Sequence, residues 1–186
     1  MRLTDFHAPL DLRLFRMVNR DGGALLDALM RGLSARAFGI AFGLLVCAWL
    51  VAVLRRAAAR ALFAVALAML ASDALGAHVL KPLFGRMRPC YALPPGSFRW
   101  LSPAADVGSL PSLHASNMFA LALVVTLARP RLAPLVYAVA VAVSVSRVYV
   151  GVHWPTDVLA GMAWGTVAGA AGWALSGVAA RRAATA

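Results

Sequence analysis

Residues 37–54 run for 18 positions without a charged side chain, close to the roughly 20 that a helix needs to cross the hydrocarbon core of a bilayer. Four more apolar runs follow, at residues 61–80, 113–128, 132–145 and 158–178. A segment inside lipid has no water to satisfy its N–H and C=O groups, so the backbone must bond to itself, which makes each run a helix. The fold class that follows is all-α: a polytopic membrane bundle of about five transmembrane helices, occupying residues 1–186 as one domain. Composition supports this, because 62% hydrophobic against 13% charged residues leaves too little polar surface for a water-soluble enzyme. The net charge of +11 resides in arginines clustered between the runs, a pattern of membrane flanks rather than of a nucleic-acid groove.

The connections sort by span alternation into two sides. Arg55, Arg56, Arg60, Arg129, Arg131, Arg181 and Arg182 share one side with no acid among them, which marks it as cytoplasmic. The other side receives the 81–110 loop, the turn between the fourth and fifth runs, and the N-terminal segment. Residues 1–36 do not span, since charges interrupt every window. Leu10, Leu14, Met17 and Val18 share one helical face and Arg13, Arg16 and Arg20 another, which predicts an amphipathic helix lying in the interface. Phe98, Trp100 and Leu101 in the long loop are expected to dip into the same interface. Gly161, Gly165 and Gly169 recur every four residues in the last run, a spacing that admits a second helix backbone at close range. Cys47 and Cys90 define neither a metal set nor a disulfide framework and read as packing or loop residues.

Three clusters fall at run ends on the outer side. Lys81 precedes Arg88-Pro89 by six intervening residues; Pro111-Ser112-Leu113-His114 opens the third run; Ser146-Arg147 is followed after five residues by His153 and after three more by Asp157. Arg88 and Arg147 offer forked, permanently charged donors suited to phosphate, and Lys81 adds a point charge. Ser112 occupies an N-cap position, where its hydroxyl and the free N–H groups beyond it can face an anion. Pro155 fits the first turn of the fifth helix and leaves Asp157 one turn from His153, able to orient its ring. An oriented imidazole is a nucleophile for phosphorus, and His114 across the way is placed to protonate a leaving oxygen. Two arginines and a lysine would repel a cation, so neither metal nor other cofactor is expected.

In this order the clusters resemble the signature of the phosphatidic acid phosphatase type 2 superfamily: Lys-six-Arg-Pro, Pro-Ser-Gly-His and Ser-Arg-five-His-three-Asp. The resemblance runs through motifs from about residue 72 to residue 161. It implies metal-independent hydrolysis of a phosphomonoester or diphosphate through a phosphohistidine on His153, with Asp157 orienting it and His114 as general acid. Lys81, Arg88, Ser112 and Arg147 would hold the phosphate, and Ser146 matches a motif position. Leu113 stands where the family most often has Gly; inside a first helical turn no positive φ is needed, so Leu is expected to be tolerated. The implied partners are the bilayer and a membrane lipid substrate, favoured as undecaprenyl diphosphate, with phosphatidylglycerol phosphate or lipid A phosphate as the alternative. The implied location is a bacterial inner membrane with the site on its periplasmic face. The rival readings are a vanadate-dependent haloperoxidase, disfavoured by five spans in so short a chain, and a non-catalytic lipid-binding or transport protein. Asp73 and His78 lie outside the signature; Asp73, about 12 Å below Lys81 at helical rise, is expected to make a buried structural hydrogen bond.

Overall fold

The computed structural model describes residues 9–105 and 108–185, and among these every regular element is helical. Two short helices, α1 (Pro9–Val18) and α2 (Gly23–Ser34), precede α3 (Arg36–Leu54). A 3₁₀ turn at Arg55–Ala57 reverses the chain into α4 (Ala58–Leu70). The helix then widens to π hydrogen bonding over Ala71–Leu80 and ends in α5 (Lys81–Phe84). A single turn, α6 (Pro89–Ala92), begins the long loop, after which come α7 (Leu113–Ala128), a 3₁₀ turn at Pro130–Leu132, α8 (Ala133–Tyr149) and α9 (Pro155–Thr185).

The five apolar runs are not equal. Three helical stretches are long and apolar enough to cross a membrane: Arg36–Ala92, which holds the first two runs, Pro130–Tyr149 and Pro155–Ala179. The third run, α7, has 16 residues and is shorter than such a span. Its position explains why: α7 packs against α4, α8 and α9, and Ala115, Ala120, Ala122, Val124 and Val125 are almost wholly buried. A helix jacketed by protein need not match the thickness of lipid. α3 is the opposite case, with Ile40, Leu44, Leu45, Val51 and Val53 on an exposed face; in a membrane protein that face meets acyl chains.

Water provides no drive for helix association within lipid, so close packing must do so, and small side chains permit it. Ala61, Ala64 and Ala68 of α4 pack with Met118 and Leu121 of α7 in the main core. The most extensive helix pair is α7 with α9. An added Cβ on Gly165 would lie 2.0 Å from the carbonyl oxygen of Ser116. Only glycine lets the two backbones meet there.

The N-terminal region departs from the expected single interfacial helix. It is two helices, and Leu10, Leu14 and Met17 do form an exposed face, but the opposite face enters the protein. Asp11 and Phe15 are buried, and Asn19 donates to the carbonyls of Arg99 (2.8 Å) and Tyr149 (2.7 Å). Arg99 in turn pairs with Asp27 of α2 at 2.5 Å, and the side-chain bonds of Arg99 and Tyr149 hold the Asp27 carboxyl near 2. In the long loop Trp100 is exposed, whereas Phe98, expected beside it in the interface, turns inward towards Phe15, ring centres 6.4 Å apart. Cys47 and Cys90 are free thiols, and Cys90 is buried.

The arginine-bearing turn Pro130–Leu132 packs against α7, and the turn Arg55–Ala57 against α3 and α4. Near them the Arg60 guanidinium lies over the Trp173 ring, 4.3 Å from its centre. The three chemistry-bearing clusters occupy the other end.

Candidate active site

His153 stands in the tight turn between α8 and α9. The turn needs Gly151, which takes φ +85° and whose absent Cβ would fall 2.3 Å from the Arg99 carbonyl oxygen. Trp154 is fully buried, its ring 5.4 Å from Phe15, and its indole N–H donates to the Met87 carbonyl at 3.0 Å. These contacts leave the imidazole little freedom. Arg88 Nη1 lies 2.9 Å from His153 Nε2; a guanidinium can only donate, so Nε2 must be the accepting nitrogen. The proton is therefore on Nδ1, which faces Asp157 Oδ2 at 3.4 Å. Burial, assisted by the charge of Arg88 and opposed by the Asp157 hydrogen bond, pushes the His153 pKa down to about 3. The ring is thus neutral, with the Nε2 lone pair engaged only by Arg88, the form a nucleophile requires once that donor turns away.

Asp157 opens the first turn of α9 and accepts more donors than His153. Its Oδ1 takes Arg86 Nη1 at 2.7 Å. Its Oδ2 takes the Trp154 N–H at 2.9 Å and the Ser109 hydroxyl. The carboxylate is anchored to three neighbours, and the imidazole is its longest contact.

The cations converge from three elements. Lys81 Nζ donates to the Gly108 carbonyl at 2.6 Å, and Arg88 reaches the same oxygen at 3.3 Å and the Val152 carbonyl at 3.0 Å. Arg147 is held from α2, through the Ser34 carbonyl at 2.8 Å and the Ser34 hydroxyl. Lys81, Arg88, His114, Arg147 and His153 all line one cavity of about 1120 Å³. Buried polar atoms without a partner concentrate here: Nε of Arg88, Nε of Arg147 and Oγ of Ser112. Such atoms are costly unless something arrives to satisfy them. Ser112 holds the expected N-cap position of α7, and its hydroxyl makes no capping bond, which leaves that oxygen without a partner.

Backbone contacts tie α7, which bears His114, to the start of α9, which follows His153. The Ser112 N–H donates to the Asp157 carbonyl at 2.9 Å, and a Cβ on Gly161 would lie 2.4 Å from the Ser112 carbonyl. Leu113 adopts ordinary helical backbone, not the positive φ that would demand glycine. Its side chain fills the notch above Gly76, where an added Cβ would fall 2.5 Å from Leu113 Cδ2. Ser146 bonds back to the Val143 carbonyl at 2.6 Å and packs, without entering the cavity lining.

The sequence reading missed the support beneath this set. Arg86 bridges Asp157 and Asp11 at 2.7 and 2.6 Å. Asp11 also receives the Thr156 N–H at 3.1 Å and the Thr156 hydroxyl at 2.7 Å. A carboxylate from α1 thereby caps the positive end of α9 from outside the helix. The available signal was the pattern Asp11, Phe15, Asn19, a four-residue recurrence on the face opposite the exposed apolar one. Asp73 was expected to make a buried hydrogen bond. It does bond to Asn117, at 2.9 Å, but lies on the cavity wall with its side chain accessible, because the π-helical stretch turns it towards α7.

Comparison with known proteins adds three findings. The model of the PAP2 superfamily matches residues 57–181. Two curated proteins called lipid A 1-phosphatase, from Rhizobium etli and Rhizobium johnstonii, are 36% and 35% identical over 91 residues. That stretch is 48% of this chain and 39% or 37% of theirs, so the match spans well under half the length of these relatives. Among solved structures, Aquifex aeolicus LpxE superposes with a TM-score of 0.77 at 25% identity, covering 92% of this chain and 98% of that one. A PAP2 type phosphatidylglycerolphosphate phosphatase from Bacillus subtilis superposes with a TM-score of 0.64 at 22% identity, covering 93% and 85%.

Proposed function

The chain belongs to the PAP2 superfamily, and from that premise we propose that it is an integral membrane phosphatase acting on a lipid phosphate. The observation that carries the reading is the set of unpaired buried polar atoms on Arg88, Arg147 and Ser112, two of whose residues, Arg88 and Arg147, line one cavity with a neutral His153. An arriving phosphate satisfies all three. Lys81, Arg88 and Arg147 neutralise its oxygens, and Arg88 gives up Nε2 of His153 as it turns to them. Nε2 attacks phosphorus in line, the P–O bond to the lipid breaks, and His114, which takes up a proton from the incoming phosphate monoester, delivers it to the departing oxygen. Water then attacks the phosphohistidine, giving its proton to His114, and releases phosphate. Asp157 carries the Nδ1 side of the ring throughout and stabilises the positive imidazole that forms. No metal is required, since the three cations supply the charge stabilisation.

The favoured substrate is a lipid A-type 1-phosphate, and the support is the names of both curated relatives and of the LpxE structure. This displaces undecaprenyl diphosphate, the substrate favoured on the resemblance. On this reading the five apolar runs are crossings, with the site at the outer leaflet of a bacterial inner membrane. The exposed apolar face of α1 anchors it in the interface, and residues 101–105 of the long loop contribute to the cavity lining.

Purified protein offered lipid A, phosphatidylglycerol phosphate and undecaprenyl diphosphate in excess chelator should release phosphate fastest from lipid A. Acid-labile phosphate should be trapped on His153. Activity that vanishes with chelator and returns with Mg or Zn, or phosphate released from none of the three, would overturn the reading.

A further inference from the structure

A carboxylate within an apolar span is expensive and needs a partner or a function. Asp73 has one partner and a place to work. It stands in the π-helical stretch Ala71–Leu80, a backbone form that collects at functional sites. It lies about 12 Å from Lys81 at α-helical rise, and nearer through the wider turns. It lines the same cavity as His114 and His153. Asn117, which holds it, is one turn below His114 on α7.

The hydrogen-bond chain that ends at Asp73 has a fixed direction. The Ser72 hydroxyl bonds to both Ser116 Oγ, at 2.6 Å, and Asn117 Oδ1. Its single proton goes to the amide oxygen, so Ser116 donates to Ser72, Ser72 to Asn117, and the Asn117 amide N–H to Asp73 Oδ1 at 2.9 Å. Every step delivers a donor towards Asp73. Its Oδ2 receives nothing among the described residues, and the side chain lines the cavity together with Gly43, Leu44 and Cys47 of α3 and Met118 and Leu121 of α7.

We propose that Asp73, oriented by Asn117, is a specificity residue: an acceptor that reads a hydroxyl or amide donor on the lipid where its head joins its tails. The inference rests on the phosphatase reading and deepens it. A phosphorylated amphiphile with hydroxylated acyl chains supplies such a donor to Oδ2; a polyprenyl phosphate has only hydrocarbon below its phosphate and leaves the carboxylate unanswered. Asp73 takes no part in bond making, so its effect belongs in KM and not in kcat.

The test uses full-length protein and a matched pair of synthetic glucosamine 1-phosphates bearing 3-hydroxyacyl or plain acyl esters, with undecaprenyl phosphate as a third substrate. Wild type should favour the hydroxylated lipid. Asp73→Leu should raise KM for it by about tenfold to a hundredfold, the worth of a hydrogen bond to a charged group. It should leave kcat and both other substrates within about twofold, and Asp73→Asn should keep part of the preference. Neither substitution threatens folding, since each removes a charge from an apolar region. A uniform rise in KM on all three lipids, a fall in kcat, or no change on any would overturn the proposal. Wild type that turns over all three lipids equally would overturn it while leaving the phosphatase intact; wild type inert on every lipid would remove the phosphatase reading itself, and this inference with it.

Discussion

The two walls of the cavity are built on opposite principles. On one side α7 and α9 meet backbone to backbone, with Gly161 and Gly165 leaving no room for a single added carbon. On the other, Gly39 and Gly43 of α3 have nothing within 4 Å of where a Cβ would be, and much of the helix faces outward. The first wall carries His114 and His153, with Asp157 buried behind them; the second brings a single cation, Arg36, and is otherwise apolar or glycine. The contrast separates two demands on a lipid-modifying enzyme. Reacting atoms must be held to within a fraction of an ångström, while an acyl chain of variable shape needs a wall that yields.

The contrast is most severely tested by adding carbon to each wall. Gly165→Val should abolish the folded protein, because the clash is with main chain and cannot be relieved by a rotamer; detergent-extracted variant should elute as aggregate in size-exclusion chromatography. Gly43→Ala should be neutral or stabilising by up to about 1 kcal/mol, as for a glycine inside a helix with free space. Equal tolerance at both positions would erase the distinction.

The next largest effects lie within the rigid wall. His153→Ala should stop turnover on every substrate. His114→Ala should cost roughly 10² to 10⁴ on lipid substrates and much less on p-nitrophenyl phosphate, whose leaving oxygen hardly needs a proton. Steady-state rates on both substrates decide it, and an identical loss on the two would show that His114 is not the acid.

Arg86→Met removes a cation that two buried carboxylates, Asp11 and Asp157, share. Breaking such a pair from one side costs about 3–5 kcal/mol, to be read from thermal unfolding. The double variant Arg86→Met with Asp11→Asn should recover part of that loss. No recovery would mean that Arg86 acts through Asp157 alone.

The smallest effect is that of pH on the fold. His153 takes up a proton near 3 when folded, against 6.5 for a free imidazole, so between these values the unfolded chain binds more protons. The contribution of this group is complete above about pH 6.5 and fades as pH falls towards 3. The melting temperature of wild type should accordingly drop more steeply below pH 6.5 than that of His153→Gln. Parallel slopes would place the histidine in a wetter site than the one described.

What could be read in the sequence was whatever is written along the chain. Uninterrupted apolar runs gave the helices, and the short spacings Lys81 to Arg88 and His153 to Asp157 placed their side chains at common helix ends. Arg86 escaped because its partners are 71 and 75 positions away, and its place within the Lys81–Arg88 interval marks it no more than its neighbours. Asp11 escaped because α1 was read by its apolar face, while the face that enters the protein is the one with a carboxylate. The length of α7 escaped too: an apolar run does not declare whether lipid or other helices will surround it. Leu113 was legible in part, since a first-turn position needs no glycine, but its match to the notch at Gly76 is a fact of packing between distant segments.

The main-chain contact of α7 with α9 has a mechanical consequence. A bilayer that thins, thickens or changes its lateral pressure acts on a helix by tilting it. Two helices with side chains between them can slide or splay under that load, but two that touch at Gly161, Gly165 and Gly169 tilt as one body. The separation of the two histidines is then a constant of the chain, whereas the gap to α3 takes up the strain. Varying acyl length in proteoliposomes should therefore move KM and leave kcat where it was, giving an enzyme whose grip answers to the membrane while its chemistry does not.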